Sequence, residues 1–226
     1  MNDLKNTIEL AQLKLREMLL EAIENDFDID NYQRFLSMQY HLTQGVQKHF
    51  FAIAGHQSLL RHKALRKFLI NFAHEEEMHY LVAEKDLQNL GREPLPASLD
   101  VQIWWAYFDK VIVDRPLMRL GAMCILENIL SKSDDLVAGL LQSLNFIKAN
   151  TAKFITIHRH GPELAHGDDV LRVLEENKFS DSQWQDINEG AQAAATMYLR
   201  SIEWVMQKER KVYLGFDCET RKSQAA

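Results

Sequence analysis

The stretch Phe72-Ala73-His74-Glu75-Glu76-Glu77-Met78-His79-Tyr80 sets three consecutive glutamates between histidines. Such a run is either a solvated charge cluster or half of a metal site. Projected on a helix at about 100° per residue with Glu76 at the origin, Leu65, Leu69, Phe72, Tyr80, Ala83, Leu87 and Leu90 all fall within about 40° of it. Glu76 therefore lies on an apolar stripe. His79 falls about 60° away on the same side, Glu75 sits on the flank, and His74, Glu77 and Lys85 point off the stripe. A carboxylate buried without a partner is costly and protonates instead, so Glu76 demands compensation. A metal ion supplies it, and so does a hydrogen bond to His79 or to a buried arginine.

The pattern returns further along the chain. Glu127 is the only charge in Leu120-Gly121-Ala122-Met123-Cys124-Ile125-Leu126-Glu127-Asn128-Ile129-Leu130, a segment apolar on all sides. Glu163-Leu164-Ala165-His166 then repeats the Glu-x-x-His spacing of Glu76 and His79, just after Ile157-His158-Arg159-His160-Gly161-Pro162. Two such pairs and an isolated buried glutamate, on three helices, are the raw material of a carboxylate-bridged di-iron site. Two Fe(II) ions bring four positive charges, of which three carboxylates offset three. The surplus favours an anionic substrate group, and imidazole ligands with open positions suit iron and O2.

Apolar residues recur at helical spacing almost throughout, and no run alternates with period two long enough to read as a strand. The chain reads as all-α, a single helical domain over residues 1–226 with a frayed tail from about 213. Helices are expected over about residues 3–24, 30–56 capped by Asp30 or Asn31, and 58–90 closed by Gly91. Two shorter ones follow over 98–112 and 116–130. A long one runs from Ser131-Lys132-Ser133-Asp134-Asp135 through 158, interrupted at Gly161-Pro162 and continuing to about 177. Ser180-Asp181-Ser182-Gln183 has the form of a capping box for a last helix to about Val212.

Composition narrows the function classes. With 46% hydrophobic and 26% charged residues, few glycines and prolines and a net charge of -6, the balance is that of a soluble, helix-rich protein with no basic stripe for nucleic acid. Cys124 and Cys218 form no Cys-x-x-Cys pair, which fits a reducing cytoplasm. Neither a signal peptide nor a membrane span is expected at the N-terminus.

At Glu76, His79, Glu127, Glu163 and His166 the chain resembles the haem-oxygenase-like di-iron oxidases, the iron-containing redox enzymes of TenA/PqqC-like fold. The resemblance covers roughly residues 30–175, including the wording His79-Tyr80-Leu81-Val82-Ala83-Glu84-Lys85-Asp86-Leu87-Gln88-Asn89-Leu90-Gly91. It implies a bundle of about seven to eight helices. A carboxylate and a histidine come from one core helix, a glutamate from the next, and a His-x3-Asp/Glu-x2-His run from a third. The first histidine of that run falls at Arg159, with His158 and His160 on either side. A π-bulge at Gly161-Pro162 would bring His158 into phase with Glu163 and His166, whereas a simple break would favour His160.

The expectation is a cytoplasmic oxidase or oxygenase that binds two Fe(II), or Mn, or a mixed Mn/Fe pair. It would use O2 as co-substrate on a small organic molecule bearing a carboxylate or an amine. No nucleic-acid or membrane partner is expected, and a homodimer stays open beside a monomer. Three other readings remain. The first is a non-catalytic metal- or small-molecule-binding protein. The second is a ferritin-like di-iron bundle, whose upstream glutamate is missing from residues 30–56, leaving Gln44 or Gln47 as substitutes. The third is a TenA-type hydrolase using Cys124, which has no nearby base in sequence. His49 and His56 read as core histidines, with His49 alternatively a pocket wall or proton carrier. Arg115 and Arg119 read as surface residues or as holders of a substrate carboxylate. The aromatic group Ile103-Trp104-Trp105-Ala106-Tyr107-Phe108 reads as helix packing, with a substrate channel as the alternative.

Overall fold

The computed structural model describes residues 1–24, 27–158 and 166–206, with the side chain of His166 outside that set. Every regular element among them is helical. Helix α1, Asn2–Glu24, buries Leu4, Ile8, Ala11, Leu15, Met18, Leu19 and Ala22 on one stripe. Helix α2, Ile29–Thr43, starts earlier than the sequence suggests. Asp28 is its cap, accepting from the backbone of Asp30 and Asn31, while the Asn31 side chain bonds back to Asp28 N.

Two helices expected to be continuous are each broken in two. Gly45, at φ +79, separates α2 from α3, Gln47–Gly55. Past a 3₁₀ turn at Gln57–Leu59, α4 spans Lys63–Glu76 and α5 spans His79–Asn89, parted at Glu77 and Met78. The halves pack on different neighbours, α4 on α3 and α5 on α2, so each follows its own partner. Gly91, at φ +69, ends α5 as expected, with Arg92 N returning to Leu87 O at 2.9 Å.

Helices α6, Leu99–Asp114, and α7, Leu117–Asn128, meet at Pro116. The expected long helix through residue 158 is instead α8, Asp134–Ser143, a turn, and the short α9, Lys153–His158. Thr151 makes that turn: its N–H bonds Lys148 O and its Oγ1 accepts from Lys148 N, the local side-chain bonding by which threonine competes with a helix. Helix α10 spans His166–Glu176 and α11 spans Asp181–Met206. The Ser180–Gln183 capping box forms at the start of α11. The Gly161-Pro162 interruption and the tail beyond 206 lie outside the described residues.

Helix α7 is buried along nearly its whole length and lies against α11, α1, α6 and α10. Its contact with α11 is backbone on backbone. A Cβ on Gly190 would meet Met118 O, and one on Gly121 would meet Ile187 O, so both positions need glycine. This close crossing fixes α7, and with it Glu127, in the middle of the bundle.

Candidate metal centre

The break between α4 and α5 falls inside the first Glu-x-x-His pair. Glu76 closes α4 at 7% exposure and His79 opens α5. Between them Met78, at φ -110 and ψ 4, turns its side chain out to solvent. His79 Nδ1 comes 2.7 Å from Glu76 Oε2. Helical periodicity predicts an unbroken helix here, with the two residues merely on one side of it.

His158 arrives from α9. Asp86, buried on α5, accepts the N–H of Phe154 at 2.8 Å and so occupies one of the unsatisfied donors at the start of that helix. Burial holds the Asp86 carboxyl above its ordinary range. At the other end of α9, His158 Nδ1 lies 2.7 Å from Phe154 O. A carbonyl only accepts, so Nδ1 carries the proton and Nε2 presents its lone pair. That Nε2 lies 3.2 Å from His79 Nδ1, and the two rings meet edge to face with centroids 4.7 Å apart. The ligand-type atoms of Glu76, His79 and His158 all lie within 4.8 Å of one another.

Glu127 lines the same cavity. Burial and the charge of Glu76 push its carboxyl well above the ordinary range, and Arg119 acts in the opposite direction. Two carboxylates in a low-dielectric pocket repel, and a cation between them relieves both. The turn that carries Glu127 is held by Asn128, whose Nδ2 donates to Cys124 O at 2.9 Å. Gly167 packs against it so closely that a Cβ there would lie 2.7 Å from Glu127 O. The start of α10, where His166 stands, is thereby docked on the turn of Glu127. Glu163, His160 and the His166 side chain lie outside the described residues.

The cavity holds about 710 Å³. Phe35, Phe50, Phe68, Phe72, Met123 and Phe154 make much of its apolar wall, and Glu75, Asp169 and Arg119 join the acidic and imidazole groups. From the sequence Glu75 falls on the flank of the stripe, and Asp169 is not among the expected ligands. Asp169 follows His166 by three residues, as His166 follows Glu163, so the same spacing carried one step further finds it.

Arg119 is 1% exposed, not on the surface. Its Nε donates to His49 Nδ1 at 3.3 Å, and Phe50 lies 4.8 Å from its Cζ. Nη1 is buried with no acceptor, an arrangement that costs about 1–3 kcal/mol. Burial lowers the guanidinium to about 10, against the opposing pull of Glu127 and Glu76, so it stays charged at neutral pH. His49 is a core histidine with both ring nitrogens engaged, its Nε2 lying 2.7 Å from Asp109 Oδ1. Burial and then Arg119 push its pKa down to about 4. Arg115 is committed elsewhere, to Asp186 and Glu189 of α11 at 2.6 Å each. Cys124 is fully buried, and burial followed by the charge of Glu127 pushes its thiol up, the opposite of what a thiolate nucleophile requires. Trp104 is buried against Phe108, and Trp105 donates to His41 O, so these aromatics pack helices.

A crystal structure from Shewanella denitrificans, described as a domain of unknown function with a haem oxygenase-like fold, superimposes on this chain with a TM-score of 0.75. The two are 18% identical over 89% of each chain. The chain therefore has a haem-oxygenase-like, all-α fold, and the ferritin-like bundle is set aside. No protein-family profile matches the sequence, and no curated protein matches it. No helix among the described residues is long and apolar enough to cross a membrane.

Proposed function

We propose that the protein is an O2-activating non-haem di-iron oxidase acting on a small organic substrate held in the 710 Å³ cavity. The observation that carries this reading is the convergence of one carboxylate and two imidazoles, Glu76, His79 and His158, within 4.8 Å on the wall of that cavity. Two histidines and a carboxylate with room beside them are the donor set of non-haem Fe(II) oxygenases. His158 fits in detail as well, because the Phe154 carbonyl fixes its tautomer so that Nε2 offers a lone pair, the outer hydrogen bond that ligating histidines commonly make.

Glu76, His79 and His158 would hold one ion, and Glu127, on the wall of the same cavity, would give up its proton to serve a second. The resemblance adds Glu163 and His166 to the ligand set. Iron held there would supply the redox chemistry, relaying electrons from the substrate to O2. Mn shares these ligand types. The chain's own contribution is a phenylalanine-rich wall beside the acidic cluster and a buried Arg119 that offsets its negative charge. The TenA-type alternative finds no support in the buried Cys124.

The reading is tested by loading the protein with Fe(II) anaerobically and mixing it with O2 while recording O2 uptake. Rapid O2 consumption by the wild type, lost in Glu76→Gln, is expected. An iron-loaded protein that consumes no O2 would instead mark a structural or storage site.

A further inference from the structure

Arg119 is built more elaborately than a counter-ion for two glutamates needs. An arginine serving only to neutralise Glu76 and Glu127 would turn its Nη groups onto their oxygens, yet Nη1 has no acceptor within hydrogen-bond distance. The other edge of the guanidinium is clamped. Nε can only donate, so His49 Nδ1 accepts and His49 Nε2–H donates to Asp109, which also pairs with Lys48 at 2.9 Å. A chain of contacts running from the surface through a buried histidine thus holds a charged fork against the cavity that Arg119 lines.

We propose that Arg119 is an anion-binding residue of the substrate cavity, taking the carboxylate of a ligand whose body is apolar. The planar fork of arginine matches a carboxylate in two parallel hydrogen bonds, and a buried site strengthens them. Phe35, Phe50, Phe68, Phe72 and Met123 on the same wall suit an apolar or aromatic body. An amine of the same shape would meet a fixed positive charge there, so the Arg119 end of the cavity favours the carboxylate over the amine, which is left to the glutamates elsewhere on the wall. That the ligand is the substrate rests on the metal-centre reading; that it binds through Arg119 does not.

The test uses phenylpropanoate and phenylpropanol as probes, titrated calorimetrically into Zn(II)-treated protein, with zinc content measured on the same samples. Wild type is expected to bind the acid about 10- to 100-fold more tightly than the alcohol. In Arg119→Met the preference disappears while alcohol binding and zinc content persist. Equal binding of both probes by the wild type overturns the proposal, and so does an acid preference that survives in Arg119→Met, which would point to the metal as the anchor. Should Arg119→Met not fold, the arginine side-chain N–H signals of the wild type decide the matter. One of them must move with phenylpropanoate and not with phenylpropanol, and no movement overturns the assignment. Low zinc content with the acid preference intact would count against the metal centre alone.

Discussion

At His158 the nitrogen that faces Glu76 and His79 is chosen by a backbone carbonyl four residues earlier, and at Arg119 the orientation of the fork is chosen by His49. Both are cases in which a group outside the cluster decides what the cluster presents. For His49 the consequence is measurable. Its folded pKa of about 4 lies below the ordinary 6.5, so between those values the unfolded chain binds a proton that the folded chain refuses. Stability contributed by neutral His49 is complete above about pH 6.5 and declines as pH falls toward 4. Chemical unfolding from about pH 7 to pH 4 should show wild type losing on the order of 3 kcal/mol more than His49→Gln. Parallel curves for the two proteins would contradict this account. None of it is visible in sequence, where His49 is only a histidine on an apolar face; its partners come from two other helices, 60 and 70 residues away.

The ends of elements, more than their interiors, shape the cavity. Helical periodicity in the sequence locates α1, α6, α7 and α11 closely because each runs without a break along its length. It misses the breaks at Gly45 and at Glu77–Met78, where the two halves turn to different neighbours, and the turn at Thr151 that isolates α9. The last is the most consequential, because it makes His158 the end of a six-residue helix held at its start by Asp86. A helix that short is marginal by itself and depends on its cap. Asp86→Ala should therefore cost about 1–2 kcal/mol in stability and weaken metal binding about 10- to 100-fold. Asp86→Asn, which keeps an oxygen for the Phe154 N–H, should retain most of both. Thermal unfolding and metal titration of the two variants check the pair, and equal metal affinity in Asp86→Ala and wild type would show that α9 needs no such anchor.

Across the whole molecule, the architecture and the acidic-imidazole cluster were legible to different depths. The all-α character follows from periodicity, and the haem-oxygenase-like fold was implied by the family resemblance carried at Glu76, His79, Glu127, Glu163 and His166. Glu76 and Glu127 stand out because charge on an apolar face needs a reason. Glu75 and the burial of Arg119 do not, because they depend on which helices meet, and Asp169 stands out only when the three-residue spacing is carried past His166. The bundle brings α4, α5, α7, α9 and α10 around one cavity, and α7 is held there by glycine contacts with α11. The central claim is that this convergence holds metal. Its most direct test is an anaerobic Fe(II) titration followed by metal analysis of wild type, Glu76→Gln and His158→Ala. The wild type is predicted to retain about two ions per chain, with at least one lost in each variant. Wild-type protein that retains no iron, or variants that retain as much as the wild type, would contradict the account.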